Sequence, residues 1–134
     1  MLKNSIGSKL NTIALIFIGA GLGGVLRYGV SSGVYHLVNK KFPYGTLVIN
    51  ISGSFLMGLL FVLTLERFYN IAPQLRAFLL IGFLGGYTTF SSFSIETINL
   101  IENGNWFPAI LNILLSTILC LIAAWVGVIL GRNL

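Results

Sequence analysis

Gly82-Phe83-Leu84-Gly85-Gly86-Tyr87-Thr88-Thr89-Phe90-Ser91-Ser92-Phe93 lies inside an apolar span and reads against its own helix. The paired glycines, the β-branched threonines and the serines are poor helix formers, so backbone N–H and C=O groups are expected to leave the i→i−4 ladder here. In hydrocarbon an unpaired peptide group is costly. Irregular backbone at membrane depth is therefore tolerated only where it is buried in protein, coordinates an ion or lines water. The interruption reads as a site.

The rest of the chain supplies the membrane setting. Its 134 residues are 56% hydrophobic and 8% charged, a composition that would leave a soluble domain with far too much exposed apolar surface. Four apolar stretches are separated by the places where charge and turn residues gather, and each is long enough to cross a hydrocarbon core about 30 Å thick. The chain is therefore read as an all-α membrane protein with four transmembrane helices, at about residues 11–38, 45–68, 73–102 and 106–131. The third is broken at 85–88 and carries Pro73 in its first turn. Residues 1–134 form a single transmembrane domain without repeat or linker.

Lys3 and Lys9 ahead of an apolar run resemble the start of a signal peptide, yet no small-x-small cleavage site follows. An uncleaved first helix is expected. The single cysteine, Cys120, excludes an internal disulfide and reads as small apolar filler. The net charge of +5 does not imply nucleic acid, because the basic residues sit singly at helix ends. They report topology. With alternating helices, Lys3, Lys9, Arg67, Arg76 and Arg132 lie on one side and Lys40 and Lys41 on the other, which places the termini in the cytoplasm. The two short loops flanking the second helix carry two basic residues each, so the bias rests on the terminal tails.

Within the spans the polar residues are mostly neutral hydrogen-bond formers: Asn50, Ser52 and Ser54, then Thr88 to Ser94, then Asn112, Ser116 and Thr117. Asn112, Ser116 and Cys120 are spaced i, i+4, i+8 and share one face of the fourth helix as a polar track. Phe90 and Phe93 share a face just after the break. An aromatic ring has a positive edge, so two rings beside amide and hydroxyl donors suit an anion met edge-on. Packing is the commoner role for such a pair, and the neighbouring break favours the site. Away from the span ends, charged residues inside the membrane are few, namely Arg27 and Glu96. Arg27 either supplies positive potential at a vestibule or snorkels and caps carbonyls, and Glu96 fits a structural hydrogen bond near a helix end. His36 reads as an interfacial histidine.

Four helices give a conduit only one wall, so a homodimer is expected, with Gly19, Gly23 and Gly24 in the first helix and Gly45, Gly53 and Gly58 in the second allowing close approach.

Three motifs in order, Gly23-Gly24-Val25-Leu26-Arg27-Tyr28, Pro43-Tyr44-Gly45-Thr46-Leu47-Val48-Ile49-Asn50, and the Gly82 to Phe93 stretch followed by Glu96, closely resemble the Fluc (CrcB) fluoride ion channel family. The resemblance spans the chain from the first helix through the fourth. It implies a multi-pass protein of the bacterial inner membrane, an antiparallel dual-topology homodimer with two fluoride pores that exports fluoride passively. It implies a central structural sodium ion (Na+) held by backbone carbonyls at positions matching Gly85 and Thr88. Phe90, Phe93 and Asn50 match its pore residues, Thr89 lies among them, and Asn112 and Ser116 correspond to its helix-four polar track. Arg27 and Glu96 match positions where the family carries an arginine and a glutamate.

Two features depart from that pattern. Tyr87 stands where an aliphatic residue is more usual, and the five-to-two basic bias is lopsided for dual topology, leaving a paralogous partner of opposite orientation as the alternative. A small drug/proton antiporter would need a carboxylate in the first helix, which has none. A non-conducting scaffold would use the polar track as interhelical glue. An enzyme is not expected, with one His, one Cys and no paired carboxylates within a span.

Overall fold

The structure, a computed structural model, describes the backbone of residues 2–134 and the side chains of all of these except residues 2–6 and 69. Lys3, counted above for topology, lies outside the described side chains. The described chain is all helical apart from short connections. Four helical stretches, Gly7–Leu37, Tyr44–Glu66, Ala72–Glu102 and Trp106–Asn133, are long and apolar enough to cross a membrane, making this a multi-pass membrane protein.

The first helix begins at Leu2, well before the apolar run, and ends at Leu37. Its polar leading turns contain no proline and continue the helix outward. The second helix spans Tyr44–Glu66 after Pro43, whose missing N–H costs nothing at a helix start. A short 3₁₀ turn, Tyr69–Ile71, leads into Ala72–Leu75, with Pro73 in the first turn as expected. The third span then widens into a π-helical stretch, Arg76–Leu84. The last connection turns on Gly104, whose φ of +73° is a conformation that glycine adopts without strain.

The first helix lies against the front half of the third span, and the second helix lies along the fourth. Both pairings depend on missing side chains. A Cβ on Gly19 or Gly23 would run into the carbonyls of Phe78 and Phe83, and one on Gly58 or Gly127 into those of Ala124 and Phe55. Gly45 and Gly53 are likewise filled by neighbouring side chains, whereas Gly24 meets nothing and takes no part in packing within the chain. Ile49, Leu80, Leu84 and Tyr87 form the buried apolar centre between the second helix and the third span.

The glycine pair of the opening motif is not where the ladder opens. Gly85 is helical (φ −63°, ψ −37°), and Gly86 is small because Ala20 of the first helix occupies the space its Cβ would take. The extended residues are Thr88 (φ −79°, ψ 157°) and Thr89 (φ −152°, ψ 116°). Before them the chain packs on the first helix, and after them Phe90–Glu102 packs on the fourth.

Gly58→Val should destabilise the protein by about 1–3 kcal/mol through overpacking against the Ala124 carbonyl. Gly33→Ala, where nothing lies within 4 Å of the added Cβ, should change stability by less than ~0.5 kcal/mol. Unfolding in detergent read by circular dichroism compares the two.

Candidate functional site

Thr89 is the hub of the site, and its peptide group is held by a side chain instead of by a helix. Its N–H donates to Asn50 Oδ1 at 2.8 Å and its carbonyl accepts from Asn50 Nδ2 at 2.9 Å. The Asn50 amide thus takes the place of a neighbouring strand, satisfying both backbone groups of one residue where no ladder reaches them. The Thr89 hydroxyl in turn caps the following helix, accepting from the Ser92 N–H at 3.2 Å. Just before the opening, the Thr88 hydroxyl and N–H both donate to the Leu84 carbonyl, at 2.8 and 2.9 Å.

These bonds have a consequence for the carbonyls. In a continuous helix the Thr89 N–H would donate to Gly85 and the Ser92 N–H to Thr88. Both amides are instead committed to side chains, so the carbonyls of Gly85 and Thr88 lose those helical partners. Gly85 lies on the exposed side of the subunit and Thr88 is half-buried.

Beside the clamp opens a cavity of about 450 Å³ whose walls include Asn50, Thr89, Phe90, Phe93, Ser116 and Cys120. The Phe90 and Phe93 rings stand 5.3 Å apart and tilted by 45°. Phe93 is half-buried while Phe90 is 78% exposed, on the open side of the cavity. The structure therefore brings together residues from the second helix, the third span and the fourth helix. Their polar groups are neutral amides and hydroxyls. Neutral donors and ring edges can replace part of an anion's hydration without binding it as tightly as a fixed cation would.

Asn112 shares a helix face with Ser116 but does not line this cavity. It is 1% exposed, donates to Thr97 Oγ1 at 2.9 Å, and accepts from the Ser116 hydroxyl at 3.4 Å. Thr97 in turn donates to the Phe93 carbonyl at 2.7 Å. Asn112 is thus one layer behind the wall, tying the Ser116 hydroxyl to the backbone that carries Phe93. Thr97 is not singled out by the sequence, although its i+4 spacing from Phe93 is a usable signal.

Arg27 is half-buried on the first helix and lines neither this cavity nor the neighbouring one. Glu96 accepts from the Thr46 hydroxyl at 2.8 Å, the structural hydrogen bond expected of it, while its other oxygen is buried without a partner. Tyr87 is buried, stacks against Phe83 with centroids 6.3 Å apart, and its hydroxyl pairs with Ser52 Oγ at 2.9 Å. This second tie between the second helix and the third span holds the residue immediately before Thr88.

The model of the CrcB-like protein, camphor resistance (CrcB) family matches residues 14–128. The chain belongs to the CrcB-like family. A protein of Coxiella burnetii named fluoride-specific ion channel FluC is 61% identical over 122 residues, covering 91% of this chain and 98% of its own. Proteins of the same name from Methylococcus capsulatus and Geobacter sulfurreducens are 52% and 46% identical, covering 89% and 93% of this chain and 52% and 100% of their own. The family resemblance carried by the three motifs is therefore the family found, and it is one of ion channels and not of enzymes.

Removing the Tyr87 hydroxyl (Tyr87→Phe) or the Ser52 hydroxyl (Ser52→Ala) should each cost about 1 kcal/mol, with the double variant costing little more than either single one. A double-mutant cycle on thermal unfolding in detergent measures the coupling, and additive losses would show that the two hydroxyls act independently. Asn50→Leu, which strips both partners from the Thr89 peptide, should cost about 2 kcal/mol or more in the same assay.

Proposed function

We propose that this protein is a fluoride-selective channel that exports fluoride passively and lowers its cytoplasmic concentration across a bacterial inner membrane. The observation that carries the reading is the cavity in which two phenylalanine rings, the Thr89 segment and the Ser116 hydroxyl converge, in a chain whose relatives bear the name of fluoride-specific channels. Fluoride is small and strongly hydrated. A selective path replaces its water with close donors and stays too tight for chloride. Phe90 and Phe93 offer ring edges, Asn50 retains an N–H beyond the one given to Thr89, and the Ser116 hydroxyl, whose single proton rests on Asn112 Oδ1 at 3.4 Å, would turn from Asn112 to the ion. Asn112 holds Ser116 from behind.

The working unit in this reading is an antiparallel homodimer with two pathways. Two features support a second copy, whatever its orientation: the cavity is open on one side of the subunit, and the ring of Phe90 is exposed there, so a partner would supply the missing wall. A sodium ion on the dimer axis fits the carbonyls of Gly85 and Thr88, which have lost their helical amides and are free to turn toward a hard cation. When bound, that ion supplies a fixed positive charge and holds the two subunits' interrupted spans together. Arg27 would contribute positive potential from the first helix, and Glu96 with Thr46 would brace the far end of the path.

Efflux from proteoliposomes holding the purified protein, followed with a fluoride electrode and with chloride as control, tests the reading. Rapid fluoride loss without chloride loss is expected. Phe90→Ile and Phe93→Ile should each cut fluoride flux by orders of magnitude while the dimer stays assembled by size-exclusion chromatography. Unchanged flux in both would remove the phenylalanines from the mechanism, and an inert, well-folded wild type would direct the search to a paralogous partner subunit.

A further inference from the structure

A second cavity, of about 350 Å³, opens at one end of the bundle, and Lys40, Lys41, Asn99, Asn103 and Asn105 line it with Glu96. We infer that this pocket is a capture site for small hydrated anions, in which Lys40 and Lys41 concentrate fluoride at the mouth of the conduction path. The inference rests on the channel reading and adds to it a site and two residues.

The first observation is continuity. On the second helix Asn50 lines the larger cavity, and Thr46, one turn earlier, is hydrogen-bonded at 2.8 Å to Glu96, which lines the smaller one. On the third span Phe93 lines the larger cavity, and Glu96, three residues later, lines the smaller. The third span therefore passes from one cavity to the other within a turn, and the Thr46–Glu96 bond from the second helix lies between them. In this inference an ion leaving the pocket passes that bond to reach the phenylalanines.

The second observation is that the lysines sit on a pinned turn. The Lys41 N–H donates to Asn39 Oδ1 at 3.1 Å, Phe42 next to it is buried, and its ring packs 4.9 Å from that of Tyr44. This anchors the segment joining the first and second helices at the pocket rim.

The third observation is charge and chemistry. Two exposed lysines against the single carboxylate of Glu96 line the pocket, and the asparagines add neutral amides that can take over part of an anion's water shell. A concave site of one dominant sign, flanked by low-dielectric walls, raises the local concentration of counter-ions and their rate of arrival. Such attraction is screened as the Debye length shrinks with salt. Fluoride needs no tight binding there, since the lysines attract it at the rim and the neutral donors lie deeper in, past the Thr46–Glu96 bond.

The test compares initial fluoride efflux by wild type and by the double variant Lys40→Gln, Lys41→Gln in vesicles of zwitterionic phosphatidylcholine, at low fluoride and at ionic strengths of about 0.01 M and about 0.15 M. Wild-type flux should fall as salt rises. The double variant should be slower by about tenfold at low salt, nearly independent of salt, and still dimeric by size-exclusion chromatography, while Lys40→Arg, Lys41→Arg should keep the wild-type rate and slope. Equal rates and slopes in wild type and the glutamine variant would overturn the capture site and leave the channel reading standing. A difference that arises only in vesicles of anionic lipid would also overturn it, assigning the lysines to lipid headgroups. A wild type that passes no fluoride would overturn the channel reading and this inference with it.

Discussion

The paired hydrogen bonds between the Asn50 side chain and the Thr89 peptide, at 2.8 and 2.9 Å, are the constraint on which the rest of the structure depends. Membrane interiors penalise any backbone group without a partner, so an extended residue inside an apolar span exists only if something supplies both a donor and an acceptor at once. A primary amide does so with its N–H and C=O fixed side by side in one plane, matching the peptide it faces. With the clamp in place, the third span can change partner, running against the first helix before Thr88 and against the fourth after Thr89. The cavity lies at that change of partner, and its walls come from the elements the clamp brings together.

The fourth helix separates two jobs that the clamp combines. Asn112, Thr97 and Ser116 form a bonded series that ends on the Phe93 carbonyl, so the fourth helix fixes the aromatic pair through buried polar contacts. Ser116 and Phe93, which line the cavity, are thereby positioned from behind, whereas Asn50 and Thr89 both line it and hold backbone. In the channel reading, positioning from behind keeps weak donors in place without the cost of reorganising them as an ion passes.

Much of this was legible in the sequence. Four spans follow from apolar length, and the identity of the site region follows from glycine, threonine and serine standing where a lipid-facing helix has no use for them. The location of the opening was legible only to within a turn. Gly85 and Gly86 have the lower helix propensity, yet they stay helical: the smallness of Gly86 serves the contact with Ala20, and the partner that opens the ladder, Asn50, is 39 residues distant from Thr89 in the chain. Propensity cannot see that partner. Helical spacing likewise put Asn112 on the face of Ser116 but could not say which neighbour covers it. The Ser52–Tyr87 pair was hidden for the same reason, although the unusual aromatic at Tyr87 marked the place.

The π-helical run from Arg76 to Leu84 sets the angular phase of everything that follows it. An α-helix advances about 100° per residue, and a wider turn absorbs residues with less rotation. The span is therefore a spacer whose winding, and not only its length, aims the Thr88 and Thr89 peptides at the second helix. Losing or gaining a single residue there would leave the composition of the site untouched and swing its backbone by about a quarter turn, so that the same side chains would face different neighbours. For this protein the tolerance to insertion or deletion is set by rotation, and the interval between Pro73 and Thr88 is as much a part of the site as the residues that line it.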